Sequence, residues 1–280
     1  MTKSWNDLAE VENVVNSNKN NLLLLDGNNV SYRYIRRANY NSYQDDFIRT
    51  VRSLAKSYDA AKTIACFDYG KSYYRMEMFD EYKGNRKEEL SEEEQARKDE
   101  FFAVLNMLPE LMTEQVVKLR GVEADDTITY LVERFKNEYE HVWIVSSDKD
   151  LIQLVDDNVS IFNIFSRKEI TKESLAENLN VSPSEFMLSR IIEGDTGDNI
   201  IGIEGIGPKR AQSLAREYKT LDNLLAALPL KGRAKYIQNL NAGADMLIRN
   251  EKLINLKRYN EQAIIAGKGE EGNLELLHAI

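Results

Sequence analysis

The stretch NLLLLD, Asn21–Asp26, constrains the fold more than any other part of the chain. Four consecutive leucines between polar residues read as a strand buried on both faces, as inside a parallel sheet. The run stops at Asp26, and Gly27 permits a tight turn. Two further apolar runs end the same way: TIACF before Asp68, and HVWIVSS before Asp148 and Asp150. Helical patterns lie between them. From Asp45 to Ala61 the apolar residues Phe47, Ile48, Val51, Leu54, Ala55 and Tyr58 recur at helical spacing, and TITYLVERFKNEY, from Thr127, repeats the pattern. The alternation predicts an α/β domain on a central, largely parallel sheet. In such sheets ligands bind beyond the carboxyl ends of the strands, so these aspartates should gather on one edge. One Asp after a strand is ordinarily a turn or cap residue. Three strands in succession that end in Asp weaken that explanation.

Composition narrows the chemistry. The chain has a single cysteine, Cys66, and two histidines, His141 and His278, which excludes an intrachain disulfide and argues against a Cys/His zinc site. Any metal needs oxygen ligands, which points to Mg²⁺ or Mn²⁺. No run of about 18 apolar residues is present, so no membrane span is expected. The acidic start MTKSWNDLAEVENVV lacks the apolar stretch of a signal peptide, and a cytosolic location is the expectation. The net charge of −9 argues against a polyanionic partner, provided the acids are evenly spread.

They are not evenly spread. GVEADD places Glu123, Asp125 and Asp126 ahead of a helix, and GDTGDN places Asp195 and Asp198 three apart. Acids at a helix start suit its dipole, but three in four positions exceed what capping needs. With Asp26, Asp68, Asp148 and Asp150 they make nine carboxylates, and setting these aside leaves 37 acids against 37 bases. Nine clustered carboxylates cannot all stay ionised without counter-ions, and divalent metal resolves the conflict.

The segment from Tyr82 to Phe102, YKGNRKEELSEEEQARKDEFF, is highly charged and nearly devoid of apolar residues before Phe101. It reads either as a solvated helix or loop, or as an arch over a site presenting Lys83, Arg86 and Lys87. After about Ser182 the texture is helical, with no further strong strand expected. There the run GIEGIGPKRA reads as helix, turn, helix. Gly205 and Gly207 allow positive φ and close approach, Pro208 opens the next helix, and backbone N–H groups with Lys209 and Arg210 can hold a phosphate. This resembles a helix-hairpin-helix, which grips duplex backbone without reading bases. SYRYIRRANY interleaves Arg33, Arg36 and Arg37 with tyrosines, which suits a single strand or a junction as well as a plain solvated face.

Taken in order, LLLLDGNN, EYKGNR, RGVEADD, SSDKDLIQLV, GDTGDNIIGIEGIGPKRA and KYIQNLN resemble the flap endonuclease family of 5′ nucleases, which includes phage enzymes and the 5′-nuclease domain of bacterial DNA polymerase I. The likeness runs from about Asn20 to about Leu256. It implies a PIN-like domain over 1–185 with a charged helical arch at about 82–108. It implies a helical DNA-binding region over 186–280 carrying the helix-hairpin-helix (helix-three-turn-helix) motif. It implies a monomeric nuclease, a phage protein acting in the host cytoplasm. That nuclease would cut DNA with a 5′ flap, a free 5′ end or a branched junction, and RNA primers on DNA, leaving a 5′ phosphate and a 3′ hydroxyl.

The resemblance places one Mg²⁺ near Asp26, Asp68, Glu123 and Asp125, and a second near Asp148, Asp150, Asp195 and Asp198. Mn²⁺ can substitute, and Asp126 would lie outside the inner shell. Lys83 and Arg86 match the family's basic pair, poised to orient the scissile phosphate. Tyr82 would stack a base or pack at the foot of the arch. A monovalent cation such as K⁺ would sit at the turn from about Gly202 to Gly207. Two alternatives are a related metal-dependent PIN-like ribonuclease, against which the duplex-gripping turn speaks, and a DNA-binding module without catalysis, which a missing acid would have supported. The arch is unusually acidic, with Glu88, Glu89, Glu92, Glu93 and Glu94 expected to face solvent or to be disordered without DNA.

Overall fold

The computed structural model describes residues 20–86, 90–268 and 272–280. The chain begins with strand β1 (Asn21–Asp26), the short helix α1 (Gly27–Ser31), helix α2 (Gln44–Ser57) and strand β2 (Ala60–Tyr69). Helix α3 (Tyr73–Met78), a 3₁₀ turn at Gly84–Arg86, helix α4 (Glu92–Leu111) and strand β3 (Gln115–Arg120) follow. Helix α5 (Ala124–Phe135), strand β4 (His141–Val145), a 3₁₀ turn at Asp150–Leu154, and strands β5 (Val159–Asn163) and β6 (Lys168–Ile170) complete the sheet. The rest is helical: α6 (Lys172–Leu179), α7 (Pro183–Glu193), α8 (Pro208–Tyr218), α9 (Leu221–Ala227), α10 (Lys235–Ala242), α11 (Ala244–Ile254), α12 (Leu256–Lys268) and α13 (Gly272–His278). A two-residue pair, β7 (Gly194–Asp195) with β8 (Ile200–Ile201), closes the GDTGDN loop.

The sheet runs β3-β2-β1-β4-β5-β6, parallel except for the antiparallel edge strand β6. The leucine run does what its composition requires. Leu22 and Leu24 point to one face with Ile64, Cys66 and the α5 residues Ile128 and Leu131. Leu23 and Leu25 point to the other with Phe47 and Val51 of α2 and Phe101, Leu105 and Leu108 of α4. All four leucines are fully buried, worth roughly 1.5–3 kcal/mol each. A third cluster holds the helical region together, with Leu188, Ile191, Ile203, Ile206 and Leu240, and takes in Tyr82.

Two details differ from the sequence reading. The helix expected to Ala61 stops at Ser57, because Asp59 takes positive φ (46°) and the chain enters β2. Strands β3, β5 and β6 were not foreseen. Within the charged segment the solvated-helix reading holds from α4 (Glu92–Leu111) onward, where the Ser91 hydroxyl and Glu94 make a reciprocal cap. Glu92, Glu93 and Glu94 are exposed, while the helix from Phe101 onward is anchored in the core. Lys87, Glu88 and Glu89 lie outside the described residues. Among the described residues, no helix is long and apolar enough to cross a membrane.

Candidate metal centre

Because β1, β2 and β4 are parallel, their carboxyl ends share one edge, and Asp26 lies level with Cys66 two residues before Asp68. Local hydrogen bonds fix each acid there. Asp26 caps α1, accepting from the Asn29 N–H (2.9 Å), and its other oxygen accepts from Ser146 Oγ (2.9 Å). Ser146 in turn accepts the Asp148 N–H (3.0 Å), and Asp148 accepts the Asp150 N–H (2.8 Å). Asp68 reaches across to accept the Ala124 N–H at the start of α5 (2.7 Å). The dipole of α5 is therefore served by Asp68, which leaves Glu123 and Asp125 for other work.

The nine acids divide by whether a side-chain cation meets them. Glu123 takes Lys83 Nζ at 2.6 Å and Arg75 at 3.3 Å, and although burial opposes it, these two cations hold its carboxyl below the usual range. Asp198 pairs with Arg86 and, at 3.7 Å, with Lys83. Arg190 bridges Asp150 (3.1 Å) and Asp195 (2.5 Å). Asp126 is gripped by both Arg75 nitrogens (2.7 and 2.9 Å) and is fully buried.

No such ion pair meets Asp26, Asp68, Asp125 or Asp148 among the described residues. Burial, then Asp68, push Asp26 up to about 7; burial, then Glu123, push Asp68 to about 6. Burial, then Asp148, Asp26 and Asp68, drive Asp125 well above the carboxylate range, and burial raises Asp148. Asp150 rises to about 7, from burial and Asp148, against the pull of Arg190. Each of these buried acids is uncomfortable as an anion, and an added cation would relieve all of them.

The donor set is oxygen only, which suits a hard divalent ion that keeps part of its water. Among the described residues, no three His, Cys, Asp or Glu side chains close around one point as a ready-made cage. Lys83, Arg86 and Arg190 occupy several of the carboxylates instead, as internal counter-ions.

The fold brings eight of the nine predicted acids to this edge. Asp126 is the exception, because its carboxylate is saturated by Arg75 inside the protein. Of the two roles open to Tyr82, its burial fits packing at the foot of the arch: it is 2% exposed, with its hydroxyl 2.9 Å from both Glu123 and Asp198. Lys83 and Arg86 do face the acids, beside a cleft of about 260 Å³ lined by Asp68, Gly70, Lys71 and Glu123.

The arch base is stitched to the GDTGDN loop. The Lys83 N–H donates to Asp198 O (3.0 Å), Asn85 Nδ2 to Thr196 O (2.5 Å), and Asn199 Nδ2 to Glu81 O (2.9 Å). Arg33 is not at the acids; it stands by Tyr34, away from this cleft. The residues that sequence reasoning missed are Arg75, Arg190 and Tyr32. Tyr32 is half-exposed and lines a second cleft, of about 280 Å³, that shares Asp68 and Gly70 with the first. Only Arg190 carried a signal, a base five residues before Asp195.

Beyond the acids, Gly205 has φ of +83°, a conformation that L side chains rarely adopt, and Ile203 and Ile206 on either side anchor the turn. Gly207 has ordinary φ (−94°) as the cap of α8, and a Cβ there would meet open space. Its lack of a side chain leaves room for something outside the protein to approach. Lys209 and Arg210 are exposed at the start of α8, and Arg210 donates back to Gly205 O at 2.8 Å.

Residues 21–180 match the family model described as 5′-3′ exonuclease, N-terminal resolvase-like domain, and residues 181–265 match its C-terminal SAM fold. The chain belongs to the 5′–3′ exonuclease family. It is 40% identical over 272 residues to the flap endonuclease of Escherichia phage T5, covering 95% of this chain and 94% of that protein. Among solved structures, this exonuclease-family chain is similar to T5 5′-exonuclease with divalent metal ions (zinc) bound, with a TM-score of 0.87 at 40% identity over 92% of this chain and 96% of that one. It is also similar to a T5 D15 flap endonuclease pseudo-enzyme–product complex with DNA and metal ions, with a TM-score of 0.85 at 39% identity over 92% and 99% of the two chains.

Proposed function

We propose that the protein is a structure-specific 5′ nuclease, hydrolysing phosphodiester bonds in DNA that carries a 5′ flap, a free 5′ end or a junction. One observation carries this reading: a row of buried, uncompensated carboxylates on the sheet edge, faced by Lys83 and Arg86. Family membership and the metal- and DNA-bound T5 relatives support it.

Asp26, Asp68, Glu123 and Asp125 would hold one divalent ion, and Asp148, Asp150, Asp195 and Asp198 a second, Mg²⁺ with Mn²⁺ as substitute. When bound, such ions supply an activated water and charge neutralisation at the phosphate. The protein's own part is placement. Lys83 and Arg86, held to Glu123 and Asp198, offer donors to the scissile phosphate's oxygens. Tyr82 keeps Glu123 and Asp198 aligned from beneath. The Gly205–Gly207 turn, with Lys209 and Arg210, grips the duplex backbone, and K⁺ at its carbonyls would add to that grip.

The test is a 5′-flap DNA labelled at its 3′ end, incubated with Mg²⁺ or with EDTA. Cleavage near the junction in Mg²⁺ only is the expected result. Binding without cleavage in both Mg²⁺ and Mn²⁺ would instead identify a DNA-binding module.

A further inference from the structure

The arch helix α4 has two unequal halves. From Phe101 onward it is anchored in the core, through Phe101, Val104, Leu105 and Leu108. Residues 91–100, before that, include no buried side chain, and so short a helix is marginal in water on its own. Its local support is the Ser91–Glu94 cap and a bond from Gln95 Nε2 to Asp99 (2.7 Å). These hold the turns to one another but not to the rest of the protein.

Arg97 makes that attachment. Its Nε donates to Ile35 O (2.9 Å), its Nη2 to Arg37 O (2.9 Å), and the guanidinium lies 3.9 Å from the centre of the Tyr40 ring. One turn later, Glu100 accepts from Asn41 Nδ2 (2.8 Å). The choice of partners is informative. Glu93 and Glu94 precede Arg97 by one helical turn and Glu100 follows by one, so each is spaced for an ion pair. Arg97 nonetheless makes no ion pair among the described residues, and its planar fork crosses to two backbone carbonyls of a distant loop.

The receiving loop is firm. Ile35 and Tyr40 pack against the core cluster shared by α2 and α4. Tyr34 stacks on Tyr43 (4.8 Å), and Tyr43, fully buried, stacks on Phe101 (5.3 Å). The loop leads directly out of α1, the helix that Asp26 caps. On the anchored half of α4, Phe102, Leu105 and Asn106 line the cleft that includes Asp68. The projecting half therefore rises from the rim of the acid-lined edge, and Arg97 fastens it there. A fastened helix is ordered before DNA arrives. Without the fastening the incoming strand must order it, and apparent affinity falls with the fraction of molecules in the competent form. A strand that runs past the cleft along the arch feels this; a nick, which ends at the cleft, does not.

Resting on the nuclease reading above, we infer that Arg97 is a positioning residue for flap DNA: by clamping the projecting half of α4 to the loop after α1, it holds the arch ready for a single-stranded 5′ flap and favours flaps over nicks.

The test compares the parent with Arg97→Ala, by hydrogen exchange of the free protein in EDTA and by steady-state cleavage in Mg²⁺. Amides of residues 95–100 should exchange at least tenfold faster in the variant, and those of residues 104–111 within twofold of the parent. On a 5′-flap duplex KM should rise at least fivefold with kcat within twofold; on a nicked duplex without a flap both should stay within twofold. Arg97→Lys, which keeps donors but loses the planar fork, should recover part of the protection and part of the KM. Unchanged exchange, an equal rise in KM on flap and nick, or a fall in kcat at unchanged KM overturns the inference. Should Arg97→Ala melt earlier than the parent, Asn41→Ala, which releases Glu100 alone, gives the same comparison with smaller effects, and no change in either readout again overturns it. Failure of the parent to cut flap DNA in Mg²⁺ would refute the nuclease reading, and it is scored separately from the exchange result.

Discussion

Asp125 and Asp126 are adjacent in sequence, and their replacement by asparagine should have opposite effects on stability. Asp126 is fully buried and receives two charge-assisted hydrogen bonds from Arg75, which is 4% exposed and also donates to Leu253 O at 3.0 Å. Removing one partner of such a pair costs about 3–5 kcal/mol, because the remaining charge is left buried. An asparagine still accepts one bond from Arg75, so the lower end applies. For a chain of this length each kcal/mol moves the melting temperature by about 2 °C, so Asp126→Asn should melt roughly 6 °C earlier or more.

Asp125 makes no ion pair among the described residues, and its carboxylate is opposed by burial and by Asp148, Asp26 and Asp68. Asp125→Asn removes a charge that the metal-free fold tolerates badly, so in EDTA at pH 8 it should melt later than the parent. The assay is thermal unfolding by circular dichroism in EDTA and in Mg²⁺, beside flap cleavage. Asp125→Asn should lose cleavage and most of the stabilisation by Mg²⁺; Asp126→Asn, kept below its melting point, should retain both. If Asp126→Asn melts within about 2 °C of the parent, or Asp125→Asn melts earlier than the parent in EDTA, the division of the acids into compensated and uncompensated groups is wrong.

Three further outcomes are expected. Asp26 and Asp150 at about 7 and Asp68 at about 6 lie above their unfolded values. The stability they contribute is therefore complete below about pH 4 and lost as pH rises to about 7. The metal-free protein should lose melting temperature over that window, and Mg²⁺ should restore more at pH 8 than at pH 5; a flat profile in EDTA would contradict the assignment. Tyr82→Phe should lower cleavage while leaving flap affinity unchanged, since the hydroxyl aligns Glu123 and Asp198; cleavage at the parental rate would refute that positioning role. Gly205→Ala forces a Cβ into positive φ at about 1–2 kcal/mol and should weaken duplex binding in a gel-shift assay without changing the Mg²⁺ requirement of residual cleavage.

The sheet was legible where its strands are buried on both faces. β1, β2 and β4 are central, so their apolar runs are unbroken and the aspartate after each marks the edge. β3 escaped notice because QVVKLR carries Lys118 and Arg120, and β5 and β6 lie toward the other edge, where polar residues interrupt the pattern. The acids of the candidate site were legible because they cluster in short motifs. Their internal cations were not. Arg75 and Arg190 are single bases within helical segments, and only the packing of α3 against α12 and of α7 against the 3₁₀ turn at Asp150–Leu154 turns them inward. Tyr82 shows the same limit: an aromatic among charges suggests a base platform until the helical cluster is seen to enclose it.

The stitching of residues 81–85 to residues 196–199 joins segments more than a hundred positions apart, across the two regions matched by the two family models. Lys83 can meet Glu123 within the first region, but Lys83 and Arg86 meet Asp198 only once both regions have folded and come together. This works as an interlock. A copy of the chain in which only the first region has folded already displays Asp26, Asp68, Asp125 and Asp148, yet lacks the loop that holds Lys83 and Arg86 in register. Such a half-made nuclease poses little danger to nearby DNA, because cutting competence arrives last.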